Sequence, residues 1–132
     1  MKNYVSSLHP RSGKTAKSEQ SIQKDMLNFL EKNGILAIKH NNIGIYARAG
    51  VPDILCCSNQ GKFIGIEVKR PGEKPKPIQQ AFLDAINKLN GVAFYATSVE
   101  EVKQNLINKG ILKEDLWWSS FLICCSSFSY SF

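Results

Sequence analysis

Asp53 follows the turn Gly50-Val51-Pro52, and after thirteen intervening residues comes Glu67-Val68-Lys69. Asp53 opens an apolar stretch and Glu67 interrupts the run Ile64–Val68, places where a charge is expensive to keep without a partner. Period-two alternation puts Phe63, Gly65, Glu67 and Lys69 on one strand face and Ile64, Ile66 and Val68 on the other. If the strands carrying Asp53 and Glu67 pair, two carboxylates and one ammonium converge at one edge of a sheet. Two hard anionic oxygens are ligands that Mg²⁺ prefers, usually with several waters retained. A lysine two residues past such a ligand can orient a water or balance charge developing on a phosphate. Phosphodiester hydrolysis needs those parts. Glu-x-Lys alone is common on exposed, alternately charged strands; the buried setting of both acids and the basic residues nearby set this one apart.

Those basic residues are Lys62, Lys69, Arg70, Lys74 and Lys76, read as one cluster along the same edge and suited to phosphates. The whole chain of 132 residues carries 17 basic and 11 acidic side chains, a net charge of +6, which favours an anionic partner such as nucleic acid. Other chemistries find less support. Gly13-Lys14-Thr15 ends like a phosphate-binding P-loop, but the glycine required five residues before Gly13 is Leu8. His9 and His40 have no metal-pair spacing and read as solvent-exposed. No serine sits in a nucleophile-elbow sequence. The four cysteines fall in adjacent pairs, Cys56–Cys57 and Cys124–Cys125, which rules out the usual zinc-knuckle spacing and suits free thiols in a reducing cytosol. The first twenty residues lack the apolar run of a signal peptide, and the expected location is cytoplasmic, or a host cytoplasm if the chain is phage-encoded.

The elements that must position the trio follow from the pattern. Length and composition allow one domain with one core. Residues 1–17 read as a flexible basic arm, 18–113 as the folded domain, and 114–132 as an aromatic, serine-rich tail of unknown role, too interrupted to cross a membrane. Ile22, Met26, Phe29 and Leu30 mark a helix capped by Ser18 and ended by Gly34, with Glu19 on its inward face. Strands are expected at Ile35–Lys39, Ile43–Arg48, Asp53–Cys57 and Lys62–Lys69. A second helix starts at Pro77 with a buried stripe of Ile78, Phe82, Ala85, Ile86 and Leu89, followed by a strand Val92–Thr97 and a helix capped by Ser98 that reaches about Asn108. The order α-β-β-β-β-α-β-α argues an α/β fold, a central mixed sheet flanked by helices.

Across residues 18–106 the chain resembles the virus-type replication-repair nuclease (VRR-NUC) family of the PD-(D/E)xK nuclease superfamily. Ser18-Glu19 with Gln23, Gly50-Val51-Pro52-Asp53, Gly65-Ile66-Glu67-Val68-Lys69-Arg70-Pro71-Gly72, Pro77-Ile78-Gln79-Gln80-Ala81-Phe82, Gly91-Val92-Ala93 and Ser98-Val99-Glu100-Glu101 carry the resemblance, in order and at suitable spacing. It implies a restriction-endonuclease-like core in which Asp53, Glu67 and the main-chain carbonyl of Val68 hold Mg²⁺ or Mn²⁺. Lys69 would position or activate the attacking water, and Glu19 would assist at the metal. The family's second-helix glutamine falls on Gln79 by its distance from Phe82, with Gln80 the fallback. Lys62, Arg70, Lys74 and Lys76 would contact DNA.

The expected activity is a metal-dependent DNA endonuclease acting on branched, junction or flap structures, as a homodimer by analogy with single-domain phage members. Two rivals remain: a DNA-binding module that keeps the fold without cutting, against which the intact acid-acid-lysine set speaks, and a restriction-type endonuclease, for whose sequence-reading insertions the chain is short.

Overall fold

A computed structural model describes residues 17–41, 43–44 and 47–114. Residues 1–16 (with His9 and the Gly13-Lys14-Thr15 fragment) and 115–132 (with Cys124 and Cys125) lie outside the described residues. The elements are α1 (Glu19–Lys32), β1 (Leu36–Lys39), β2 (Ile54–Cys57), β3 (Phe63–Val68), α2 (Pro77–Lys88), β4 (Val92–Ala96) and α3 (Val99–Asn108). The strands form one sheet in the order β1-β2-β3-β4. β1 and β3 both run antiparallel to β2, and β4 runs parallel to β3 through the α2 crossover.

Helix ends follow local chemistry. Ser18 Oγ accepts the Ser21 N–H at the start of α1, and Ser98 Oγ accepts the Glu101 N–H at the start of α3. The main core lies between the sheet and α1 with α3, and takes Met26 and Leu30 from α1, Ile54 and Cys56 from β2, Ile64, Ile66 and Val68 from β3, and Val102 and Leu106 from α3. Burial pushes the Cys56 thiol up to about 12, with a smaller push from neighbouring Cys57, so Cys56 is a packing residue. On the other face α2 packs Leu83 and Ile86 against Ala93. The Asn87 amide also donates to the Ala93 carbonyl (2.9 Å) and accepts the Ala93 N–H (2.8 Å), which ties α2 to the outer strand.

Two sequence expectations change. Among the described residues of the expected strand 43–48, none is in a strand. The Ala47 N–H meets the Gly44 carbonyl at 3.1 Å, and Gly50 lies against Ile78 of α2. There the Arg48 guanidinium lies 5.5 Å from the Phe82 ring centroid. The inward face of α2 is also rotated from the expected stripe. Leu83 and Ile86 are buried, whereas Ile78 and Leu89 are exposed. The working face is Gln79, Phe82, Leu83 and Ile86, spaced i, i+3, i+4 and i+7.

Close approach of α2 explains two glycines. A Cβ on Gly50, whose φ is +86°, would lie 2.7 Å from the Ile78 carbonyl oxygen. A Cβ on Gly65 would lie 2.8 Å from Ile86 Cδ1 and 3.1 Å from Pro52 Cγ. The missing side chains let α2 sit tight against the turn before Asp53 and against β3. The rotated face is tested by urea unfolding. Leu83→Ala is expected to cost about 2–4 kcal/mol, and Leu89→Ala, at a side chain 84% exposed, to stay within about 0.5 kcal/mol. Equal costs at the two positions would restore the sequence-derived stripe.

Candidate active site

The β2–β3 register explains why Asp53 and Glu67 meet. Ile54 faces Ile66 across the antiparallel pair, so Asp53, just before β2, stands opposite Glu67 in β3. The thirteen intervening residues are one hairpin. The Asp53 Oδ2 atom accepts the Val68 N–H at 2.9 Å, which fixes the carboxylate at the end of β3. The Asp53 carbonyl accepts the His40 N–H at 2.7 Å and the Gln23 amide at 3.3 Å, so β1 and α1 hold the same residue from the other side.

Glu67 is 1% exposed. A carboxylate taken out of water costs several kcal/mol unless its charge and lone pairs are met. Its two oxygens are treated unequally. Oε1 lies 2.7 Å from Lys69 Nζ and also accepts from the Gln79 amide. Oε2 is buried and has no hydrogen-bond partner among the described residues. Burial pushes the Glu67 carboxyl above its usual range; the Lys69 hydrogen bond opposes that rise and the Asp53 charge adds to it. Burial pulls the Lys69 ammonium down, but its bond to Glu67 and the charges of Glu67, Asp53 and Glu19 outweigh that, so it stays protonated above its ordinary range.

Gln79 reaches Glu67 because it occupies the first turn of the α2 inward face. Its side-chain oxygen accepts the Lys76 N–H at 2.8 Å, which leaves the amide nitrogen aimed at Oε1. Gln80 turns the other way and donates to Asp84 at 2.9 Å.

The VRR-NUC domain model matches residues 9–100, most of the chain. The chain belongs to the VRR-NUC family. It is 44% identical over 61 residues to the protein named "Putative nuclease p44" of Acyrthosiphon pisum secondary endosymbiont phage 1, a match covering 46% of this chain and 62% of that relative. A solved structure described as a VRR_NUC domain superposes with a TM-score of 0.56 at 27% identity, covering 68% of this chain and 94% of the other. The mixed sheet flanked by helices is therefore the restriction-endonuclease-like α/β fold. Among the described residues no helix is long and apolar enough to cross a membrane.

Within this VRR-NUC fold Asp53, Glu67, Lys69 and Gln79 come together, and Glu19 joins them from α1. Glu19 is half-buried, lines an open cleft of about 360 Å³ together with Asp53, and its charge is felt by Lys69. The basic residues divide. Lys74 and Lys76 are exposed in the loop between β3 and α2, and the Lys76 N–H bonds the Gln79 side chain. Arg70 pairs with Glu73, at 2.5 Å from Nη2 and 3.0 Å from Nε to Oε1. Lys62 departs from the expected cluster: it sits in the hairpin turn at the opposite end of β3, about 16 Å from Glu67 along the strand at the usual rise.

Sequence reasoning set His40 aside as a solvent-exposed strand end. The structure places it half-buried in the cleft beside Asp53, with Lys39 and Gln23. The pairing of Lys39 with Ile54 puts His40 across from Asp53, a relation visible only once the register is known.

The donor set suits a hard divalent cation: two adjacent carboxylates, one with a bare buried oxygen, and no soft ligand at the pair. Among the described residues no group of three or more His, Cys, Asp or Glu gathers as a metal cage. A cation held by two carboxylates and waters is the coordination that Mg²⁺ tolerates well.

The raised Glu67 pKa has a measurable sign. In a chelator, the unfolded chain loses this proton near the ordinary 4.5 while the folded chain still holds it. The folded state then binds more protons, so Glu67's contribution to stability falls as pH rises through that interval. Glu67→Gln lacks the proton. Urea unfolding in EDTA is expected to show wild type losing stability relative to Glu67→Gln from about pH 4.5 upward. A difference that stays flat or grows with pH contradicts the assignment.

Proposed function

We propose that this chain is a Mg²⁺- or Mn²⁺-dependent DNA endonuclease that cuts branched or flap duplexes as a homodimer. The observation that carries the reading is the buried Glu67 carboxylate, saturated on Oε1 and bare on Oε2, opposite Asp53 and beside Lys69. Family membership, with a phage relative named as a nuclease, supports the same chemistry. The relative is matched over 62% of its length, so its name guides the reading without defining it.

Asp53 and Glu67, with the Val68 carbonyl, would hold the cation. When bound, it would polarise the scissile phosphate and make a water more acidic. The protein's own groups do the rest. Asp53 is anchored by the Val68 N–H, which holds its carboxylate at the end of β3 opposite Glu67. Gln79 and Lys69 engage Glu67 Oε1 and leave Oε2 as the oxygen open to a cation. Lys69, held at Glu67 and kept protonated, orients the attacking water and balances negative charge growing on the phosphoryl oxygens. Glu19 adds an acceptor on the cleft side, where it can hold a water in line. The exposed lysines 74 and 76, with Arg70, would meet the flanking phosphates. Substrate structure and the homodimer rest on the family resemblance, since one site cuts one strand and a pair of cuts takes two.

Incubation with branched, flap and linear duplex DNA in Mg²⁺, Mn²⁺ or EDTA tests the reading. Cleavage is expected only with metal, and Lys69→Ala is expected to lose about 10²–10³-fold in rate while still binding DNA; Asp53→Ala should abolish cutting. Cleavage in EDTA, or undiminished cleavage by those variants, would overturn the reading. Binding without cutting by wild type would make the chain a DNA-binding module on a nuclease fold.

A further inference from the structure

The described residues hold two arginines, and their situations differ. Arg70 is taken up by the Glu73 carboxylate through two of its nitrogens. Arg48 is exposed and, among the described residues, makes no ion pair. Its guanidinium lies instead over the Phe82 ring, 5.5 Å from the centroid. A cation in that place is held by one face, while the N–H groups around its edge stay open. Those edge donors form the planar fork that matches two oxygens of a phosphate.

Both partners of this contact are anchored. Phe82 is half-buried and packs against Leu83, Ile86 and Ala93. On the other side, Val51 and Pro52 are buried, and Gly50 is pressed so close to α2 that a Cβ would lie 2.7 Å from the Ile78 carbonyl oxygen. The contact is also tied to the carboxylate pair by two routes. Asp53 follows Arg48 by five residues along that anchored segment. Phe82 lies one helical turn, about 5 Å of rise, beyond Gln79, whose amide bonds Glu67.

We infer that Arg48, carried on the Phe82 ring, binds a backbone phosphate of the DNA strand flanking the one at the carboxylate pair. The inference rests on the nuclease reading and deepens it, because it names an anchor for the substrate that the basic pattern of the sequence did not include. Arg70 has its charge answered by Glu73, and Arg48 keeps its own for an anion from outside. A side chain that only covered the ring would need its apolar stem and not its charge, and that difference can be measured.

The test uses the full chain and a fluorescein-labelled flap duplex. Affinity is read by fluorescence anisotropy over a salt series in EDTA, cleavage is read separately in Mg²⁺, and urea unfolding checks that each variant is folded. Arg48→Met keeps the cover over the ring and removes the charge. It is expected to bind about tenfold more weakly, the scale of a charge-assisted contact, and to lower the slope of log affinity against log salt by about 0.9. Arg48→Lys keeps the charge without the fork, and should keep the slope and recover part of the affinity. Phe82→Leu should weaken binding by the wild-type chain and leave the Arg48→Met chain unaffected, the mark of two residues acting as one contact. A salt slope unchanged in Arg48→Met, or a Phe82→Leu loss as large without Arg48 as with it, overturns the inference. Arg48-dependent binding without cleavage of any DNA would sink the hydrolytic reading alone; cleavage with Arg48-independent affinity would sink this inference alone.

Discussion

Glu67 sets the terms for the rest of the molecule. A carboxylate 1% exposed is tolerable only when something answers its charge, and the fold answers half of it. One oxygen receives an ammonium and an amide, and the other receives nothing from the described residues. Each neighbour of Glu67 comes from a different structural decision. Lys69 is the second residue on the same strand face, Gln79 is one turn ahead of the packing residues of α2, and Asp53 stands across the hairpin. Its like charge adds to the strain that burial imposes on Glu67. The result is a pair of close carboxylates whose mutual repulsion suits the divalent cation proposed for this site.

The scaffold around this group is built for close approach. Gly50 and Gly65 give up side chains so that α2 can press against the turn before Asp53 and against β3. Without that approach Gln79 could not span to Glu67. On the other face α1 and α3 bury the apolar alternates of β3, so the alternation that fills the core also aims Glu67 and Lys69 outward to α2. The Val68 N–H and the His40 N–H grip Asp53 from opposite sides, one by the side chain and one by the backbone.

The convergence of Asp53, Glu67 and Lys69 was legible in the sequence because strand alternation and hairpin length are local properties. Thirteen residues between Asp53 and Glu67 make two short strands and a turn, and an acid amid Ile64, Ile66 and Val68 marks itself. The rotation of α2 was not legible. Ile78, Ala85 and Leu89 are as apolar as Leu83, and only the sheet decides which side is covered; Gln79 was placed by its spacing from Phe82, not from the packing. Lys62 looked adjacent to Lys69 because both flank one strand, yet strand length carries them to opposite ends. The segment 43–48 carries strand-like isoleucine and tyrosine, yet its described residues do not pair with the outer edge of β1, and local pattern does not record whether a strand docks there. His40 reaches the cleft beside Asp53 only through register, a property that no spacing within its own segment records. The basic arm, the tail and the second cysteine pair fall outside the described residues.

The central claim, that Glu67 Oε2 and Asp53 together face a divalent cation, is tested most directly by anomalous diffraction from crystals grown with Mn²⁺. A single strong peak is expected between the two carboxylates, with Glu67 Oε2 and an Asp53 oxygen about 2.1 Å away, close to Mg²⁺-type distances, and absent from crystals of Asp53→Ala. Oε2 found instead hydrogen-bonded to a protein group or water, with no peak at the pair, would contradict it.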